Sequence, residues 1–170
     1  MERQPGALTL SEDDRRVLAA WAADCAERTL ALFEAEAPGD RRPREAIDGV
    51  RSFARGDMRI GQVRDLSVRA HAAARELGDP AAAAAARAAG QAAGTAHMAA
   101  HARGAAYAAK AAALAAPHGP TAVADEVRWQ LDHASPAVRE VLRRLPSPTR
   151  PAGMLGALIR DMHTKLTGAG

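Results

Sequence analysis

An all-α fold, a single-domain helical bundle of about six to seven helices, is what this sequence predicts, and three observations carry the prediction. Apolar residues recur at helical spacing along most of the 170 residues. No segment alternates apolar and polar positions as a half-buried strand does. Hydrophobic residues make up 48% of the chain but aromatics only 3%, so alanine must do much of the filling. Alanine fills space only where backbones approach closely, which favours tightly packed helices. The length suits one domain with a proper core.

Each element has local start and stop signals. Ser11, followed by Glu12, Asp13 and Asp14, reads as an N-cap with acids in the first turn, where the helix dipole favours them. The first helix runs through "RRVLAAWAADCAERTLALFEAEA" to the stop at "PGD", with Leu18, Trp21, Cys25, Leu32 and Phe33 at helical spacing. Asp24 and Arg28 within it are four apart, a spacing that suits a surface ion pair. Pro43 opens a second helix that ends at Gly56-Asp57. A third spans about Arg59 to Leu77, with Ile60, Val63, Ser67, Ala70, Ala74 and Leu77 on one stripe and His71 on its flank.

In "GDP", Gly78 closes that helix, Asp79 caps the next and Pro80 takes its first turn. The long Ala/Gly-rich stretch that follows, Pro80 to Ala116, would measure about 55 Å as one rod. A compact domain of this size has a radius of gyration of about 15 Å, so the sequence predicts a kink, placed near Gly104. Helices from Thr121 to His133 and from Pro136 to Leu145 follow. After the linker "PSPTRPAG", Met154, Leu155, Leu158, Ile159, Met162 and Leu166 make a last amphipathic helix. Residues 1–145 read as the main helical domain, and 146–170 as a linker plus a C-terminal helix packing on it. Trp21 and Trp129, the two tryptophans, read as core anchors.

The formal net charge of +3 comes from 23 bases and 20 acids spread among one another. No stacking aromatics accompany the basic clusters Arg41, Arg42, Arg44 and Arg143, Arg144, so nucleic acid is a disfavoured partner. The polar start of the chain has no apolar run of signal-peptide length, and polar residues interrupt the alanine-rich stretch, which argues against a membrane span. Cys25, the single cysteine, fits a small buried hydrophobe in a reducing compartment. A cytoplasmic location is expected.

The chemistry centres on "GQAAGTAHMAAHARGAAYAAK". Gly90, Gly94, His97, His101, Gly104 and Ala108 follow one another at four, three, four, three and four residues, one helical stripe. Glycine costs a helix about 1 kcal/mol against alanine. Its repetition on one stripe predicts that a backbone or ligand presses there, with both imidazoles inside the seam. Histidines at i and i+4 can meet one metal ion if further ligands join them. The candidates are His71, and Asp24 or Glu27 on the first helix. The set His71, His97, His101 and Asp24 would suit zinc or another divalent transition metal, or proton transfer near neutral pH. Tyr107, Lys110 and Glu27 are candidates for the rim of such a pocket. The same histidines could equally bond carbonyls and fix packing.

The segments "LSEDDRRVLAAWAADCAERTLALFE", "RPREAIDGVRSFARGDMRIGQVRDLSVRAHAAAREL", "AARAAGQAAGTAHMAAHARGAAYAAKAA" and "VRWQLDHASPAVREVL" together resemble the all-helical immunity-protein-five-like family of GC-rich bacteria. The resemblance covers roughly Leu10 to Leu145. It implies a cytoplasmic binding protein that neutralises a cognate toxin by occlusion, with no turnover and no cofactor, and it supplies no catalytic residues. The tail from Pro146 falls outside it and could cap the fold or join two copies. The alternative is a small helical enzyme or metal-binding protein, conceivably in a biosynthetic pathway, using the His/Asp cluster in an interhelical pocket.

Overall fold

The computed structural model describes residues 10–116, 119–146 and 153–168. Among them are eight α-helices and no strand: α1 (Glu12–Glu36), α2 (Arg42–Arg55), α3 (Ile60–Arg75), α4 (Pro80–Gly94), α5 (Ala105–Ala115), α6 (Gly119–Asp132), α7 (Pro136–Arg143) and α8 (Gly153–Thr167). The all-α expectation holds. The count exceeds the expected six to seven because the central Ala/Gly stretch is two helices, α4 and α5, joined by a 3-10 turn over Ala99–Gly104.

The helix starts follow the sequence signals. Ser11 Oγ accepts from the Asp14 amide at 3.1 Å while Asp14 Oδ2 accepts from the Ser11 amide at 3.1 Å, a reciprocal cap. Asp79 Oδ1 accepts from the Ala82 amide at 2.7 Å ahead of Pro80, and Ser135 Oγ accepts from the Val138 amide at 3.2 Å ahead of Pro136. At the end of α2, Gly56 takes φ 87°, a left-handed value that only glycine adopts readily. Gly78 was expected to close α3, but the helix already ends at Arg75, and Glu76 serves as its cap in the right-handed region. Most of the linker expected over Pro146–Gly153 lies outside the described residues.

Two hydrophobic clusters form the core, and α1 lies between them. Its Ala19, Ala22, Ala26, Leu30 and Phe33 face the first cluster, with Ile47, Val50 and Phe53 of α2, Val63 and Ala70 of α3, and the alanines of α4. Its Leu18, Trp21 and Cys25 face the second, with Ala102, Ala106, Val127, Val138, Leu142, Met162 and Leu166. Cys25 is fully buried and unbridged, as the sequence suggested. Trp21 is an anchor of the second cluster, while Trp129 packs on its edge, partly buried.

Helix α4 is surrounded. It packs against α1, α2, α3 and α5, and twelve of its fifteen residues are buried, all of them alanine or glycine. Side chains this small let four neighbours close around one axis. A polar interlock ties α1 to the second half: Trp21 Nε1 donates to the Gln130 carbonyl at 3.0 Å, and Gln130 Nε2 donates to the Ala105 carbonyl at 2.9 Å and to Glu126 Oε1 at 3.0 Å. Arg28 Nε donates to Glu126 Oε2 at 2.8 Å, and its guanidinium lies 4.1 Å above the Trp129 ring. Arg28 therefore pairs with α6 and not with Asp24, the i+4 partner that spacing suggested. Helix α8 directs Met162 and Leu166 into the second cluster, against α5, α6 and α7.

Candidate functional site

The histidine stretch occupies a break between helices, not a continuous seam. Helix α4 ends at Gly94, where the Thr95 amide bonds back to α4 carbonyls and Thr95 Oγ1 donates to the Gln91 carbonyl at 3.3 Å. Met98 is extended, at φ −145° and ψ 105°, before the 3-10 turn begins. The kink expected near Gly104 is thus a change of course that starts ten residues earlier, and it carries both histidines out of regular helix. His97 falls in the turn and is exposed, against the expectation that it faces inward. His101 lies on the 3-10 turn, half-buried. Their ring centroids are 5.3 Å apart.

The glycines are points of close approach, as their repetition predicted, but what presses nearest is a side chain and not a backbone or a ligand. A Cβ at Gly90 would lie 2.8 Å from His71 Nε2, and one at Gly94 would lie 2.9 Å from His101 Cγ. At Gly104 a Cβ would come within 2.1 Å of Gln91 Cβ. Each glycine thus leaves room for one polar side chain. Close approach also lets Ser67 Oγ of α3 donate to the Gly90 carbonyl at 2.7 Å. His101 Nδ1 bonds Gln91 Oε1, which places the ring proton on Nδ1 and leaves Nε2 as the lone pair.

The electrostatics favour neutral imidazoles. Burial lowers the His101 pKa to about 4, and the neighbouring His97 and His71 push the same way. Burial lowers that of His71, helped by Arg75 and Arg87. His97 is lowered by its partial burial and by Arg64. The charges felt by all three are arginines and one another. Among the described residues no carboxylate contributes to any of the three shifts.

Asp24 and Glu27 are engaged elsewhere, by α2. Arg51 donates to Asp24 Oδ1 at 3.0 Å and to Glu27 Oε2 at 2.6 Å. Arg44 holds Glu27 and also Glu34, the latter at 2.9 Å. Arg44 and Arg51, seven residues apart, share the face of α2 that meets α1, and this tertiary pairing decides where the acids point. Among the described residues no group of three or more His, Cys, Asp or Glu side chains is placed to hold a metal ion. Tyr107 and Lys110 are half-buried, and Tyr107 packs against the first cluster.

Two clefts lie away from the histidines. One cleft of about 450 Å³ lies between α6 and α8, with Val127, Leu131, Leu158, Asp161 and Lys165 on its walls. Another, of about 490 Å³, is bounded by Arg16, Met58 and Arg59. What the break builds is a surface ledge beside α3. The residues that spacing did not single out are Gln91, Arg64, Arg75 and Arg87. A signal for them was present: Arg64, Val68, His71 and Arg75 are spaced four, three and four, and Arg87 and Gln91 are four apart on an otherwise Ala/Gly helix.

No helix of the described residues is long and apolar enough to cross a membrane. No curated protein and no solved structure matches the chain. A family model does match, over residues 8–137, about three quarters of the 170 residues. The match takes in α1 to α6, including the histidine break, and stops at the start of α7, so the likeness read from the sequence is borne out: the chain belongs to the Imm-5 like putative immunity protein family.

Proposed function

We propose that this protein neutralises a cognate toxin by binding and occluding it, without turnover. Membership of the family over residues 8–137 is the observation that carries the reading. The geometry is in keeping with it. Among the described residues no group of three His, Cys, Asp or Glu side chains is placed to hold a metal ion, and His97 stands exposed to solvent. A binding protein needs a rigid face with a few anchors, and a surface backed by a close-packed Ala/Gly helix meets that need. The action belongs in the cytoplasm, which suits the free thiol of Cys25.

The test is direct. The purified protein is titrated by calorimetry with the toxins encoded beside its own gene, and the same pairs are co-expressed to score growth. A saturable one-to-one complex together with rescue of growth is expected. Absence of any complex overturns the proposal, and so does rescue by turnover of the toxin or its substrate without stable binding.

A further inference from the structure

We infer that the ledge made by Arg64, Val68 and Arg75 of α3, Arg87 of α4, and His97 and Met98 of the break docks an acidic, partly apolar segment of a protein partner. The inference deepens the toxin-binding reading and relies on it only for who the partner is.

The first support is the pattern of charge pairing. The arginines of α2 that face acids are all engaged: Arg42 with Asp40 and Glu76, Arg44 with Glu27 and Glu34, Arg51 with Asp24 and Glu27. Arg69 of α3 pairs with Glu45 at 3.0 Å. Arg64, Arg75 and Arg87 hold no ion pair among the described residues. The fields of Arg75 and Arg87 fall on His71 and that of Arg64 on His97, while Arg75 also bears on Glu76. Glu76, next to Arg75, is held by Arg42, and Asp65 lies about 100° round the helix from Arg64. The ledge thus gathers positive charge that the fold does not neutralise, which suits a surface that meets acids.

The second support is apolar exposure in the same place. Val68 and Met98 are 59% and 54% exposed, more than any other large hydrophobic side chain described. Val68 stands on the stripe that carries Arg64, His71 and Arg75, and Met98 follows His97 directly. Apolar residues ringed by like charges mark a protein-binding patch, where the hydrophobes provide anchorage and the cations steer encounter. Duplex or single-stranded nucleic acid would leave Val68 and Met98 bare, and the ledge has no tryptophan, tyrosine or phenylalanine on which a base could stack. The acidic protein is the better fit.

The test uses the full chain and a synthetic peptide with two leucines flanked by glutamates, followed through the ring Cε1–H signals of the histidines by NMR. The peptide should shift His97 and His71 and leave His133 unmoved. The double reversal Arg64→Glu with Arg87→Glu should weaken binding about tenfold or more. The double reversal Arg41→Glu with Arg128→Glu changes the same charge at two exposed arginines elsewhere and should weaken it less than twofold. Val68→Ser should weaken binding with no change in its salt dependence. Equal loss in both reversals, no shift at millimolar peptide, or tighter binding of a DNA duplex at equal ionic strength would overturn the inference. A toxin complex indifferent to the Arg64/Arg87 reversal removes the ledge and keeps the toxin reading. A peptide response without a toxin complex does the opposite.

Discussion

The two hydrophobic clusters on either side of α1 are built from different materials. The first closes around α4, whose buried residues are all alanine or glycine, so helix axes come together and the fully buried large side chains come from α1, α2 and α3. The second is filled by branched and long side chains, Trp21, Val138, Leu142, Met162 and Leu166 among them, and is crossed by the Arg28–Glu126–Gln130 polar interlock. The first should therefore resist enlargement, and the second should suffer from truncation. The ledge is backed by the first kind.

Leu142→Ala should cost the most, about 2–5 kcal/mol, because it leaves a void among side chains that only partly relax. Chemical denaturation measures it, and a loss below about 1 kcal/mol would break the contrast. Ala89→Leu, at a fully buried site of α4, should cost about 1–3 kcal/mol by forcing neighbouring helices apart. A neutral result there would show that the alanine-lined region has slack. Gly104→Ala comes next, at roughly 1–2 kcal/mol, since its new methyl would strike Gln91 Cβ, an atom fixed to the backbone. Gly90→Ala meets only the His71 ring, which can turn away, and the gain in helix propensity, about 1 kcal/mol, should leave it near neutral. Thermal melts of the pair sharpen the distinction between a rigid and a yielding neighbour.

A modest effect is expected with pH. His101 folds with its pKa lowered to about 4 from an ordinary 6.5, so between those values the unfolded chain binds more protons than the folded one. The stability it lends is complete above about pH 6.5 and is lost as pH falls toward 4. For a half-exposed ring, screening leaves about 1 kcal/mol of this. The change His101→Gln should flatten the melting-temperature profile over that window; an unaltered slope would assign it to other groups. Zinc should have the least effect of all, with melting unmoved on its addition, because among the described residues no three His, Cys, Asp or Glu side chains are placed to hold it. A rise of several degrees that His97→Ala abolishes would restore a metal role.

The fold was legible because its signals are local. Ser11, Asp79 and Ser135 announce their helices, and "GDP" and the Ser-Pro pair need no knowledge of the rest of the chain. The central break was foreseen from length alone, and Gly104 is where it ends; its start was hidden, since spacing cannot reveal that Met98 leaves the helix. The glycines at 90, 94 and 104 were correctly read as points of close approach, although the stripe that joined them does not exist as one helix. Asp24 and Glu27 were assigned to the histidines because their competitors, Arg44 and Arg51, are distant in sequence and meet them only after α2 docks on α1. The spacing of Arg64, Arg75 and Arg87 was visible in the sequence, but that they hold no ion pair among the described residues is a property only three-dimensional pairing exposes.

Because α1 presents Leu18, Trp21 and Cys25 to one side and Leu30 and Phe33 to the other, neither half can shed it without baring apolar surface. Melting one side therefore removes a wall of the other, and the chain is wired to come apart in a single all-or-none event. A partner gripping α3 and α4 would then protect distant α7 and α8 as well, through a shared spine.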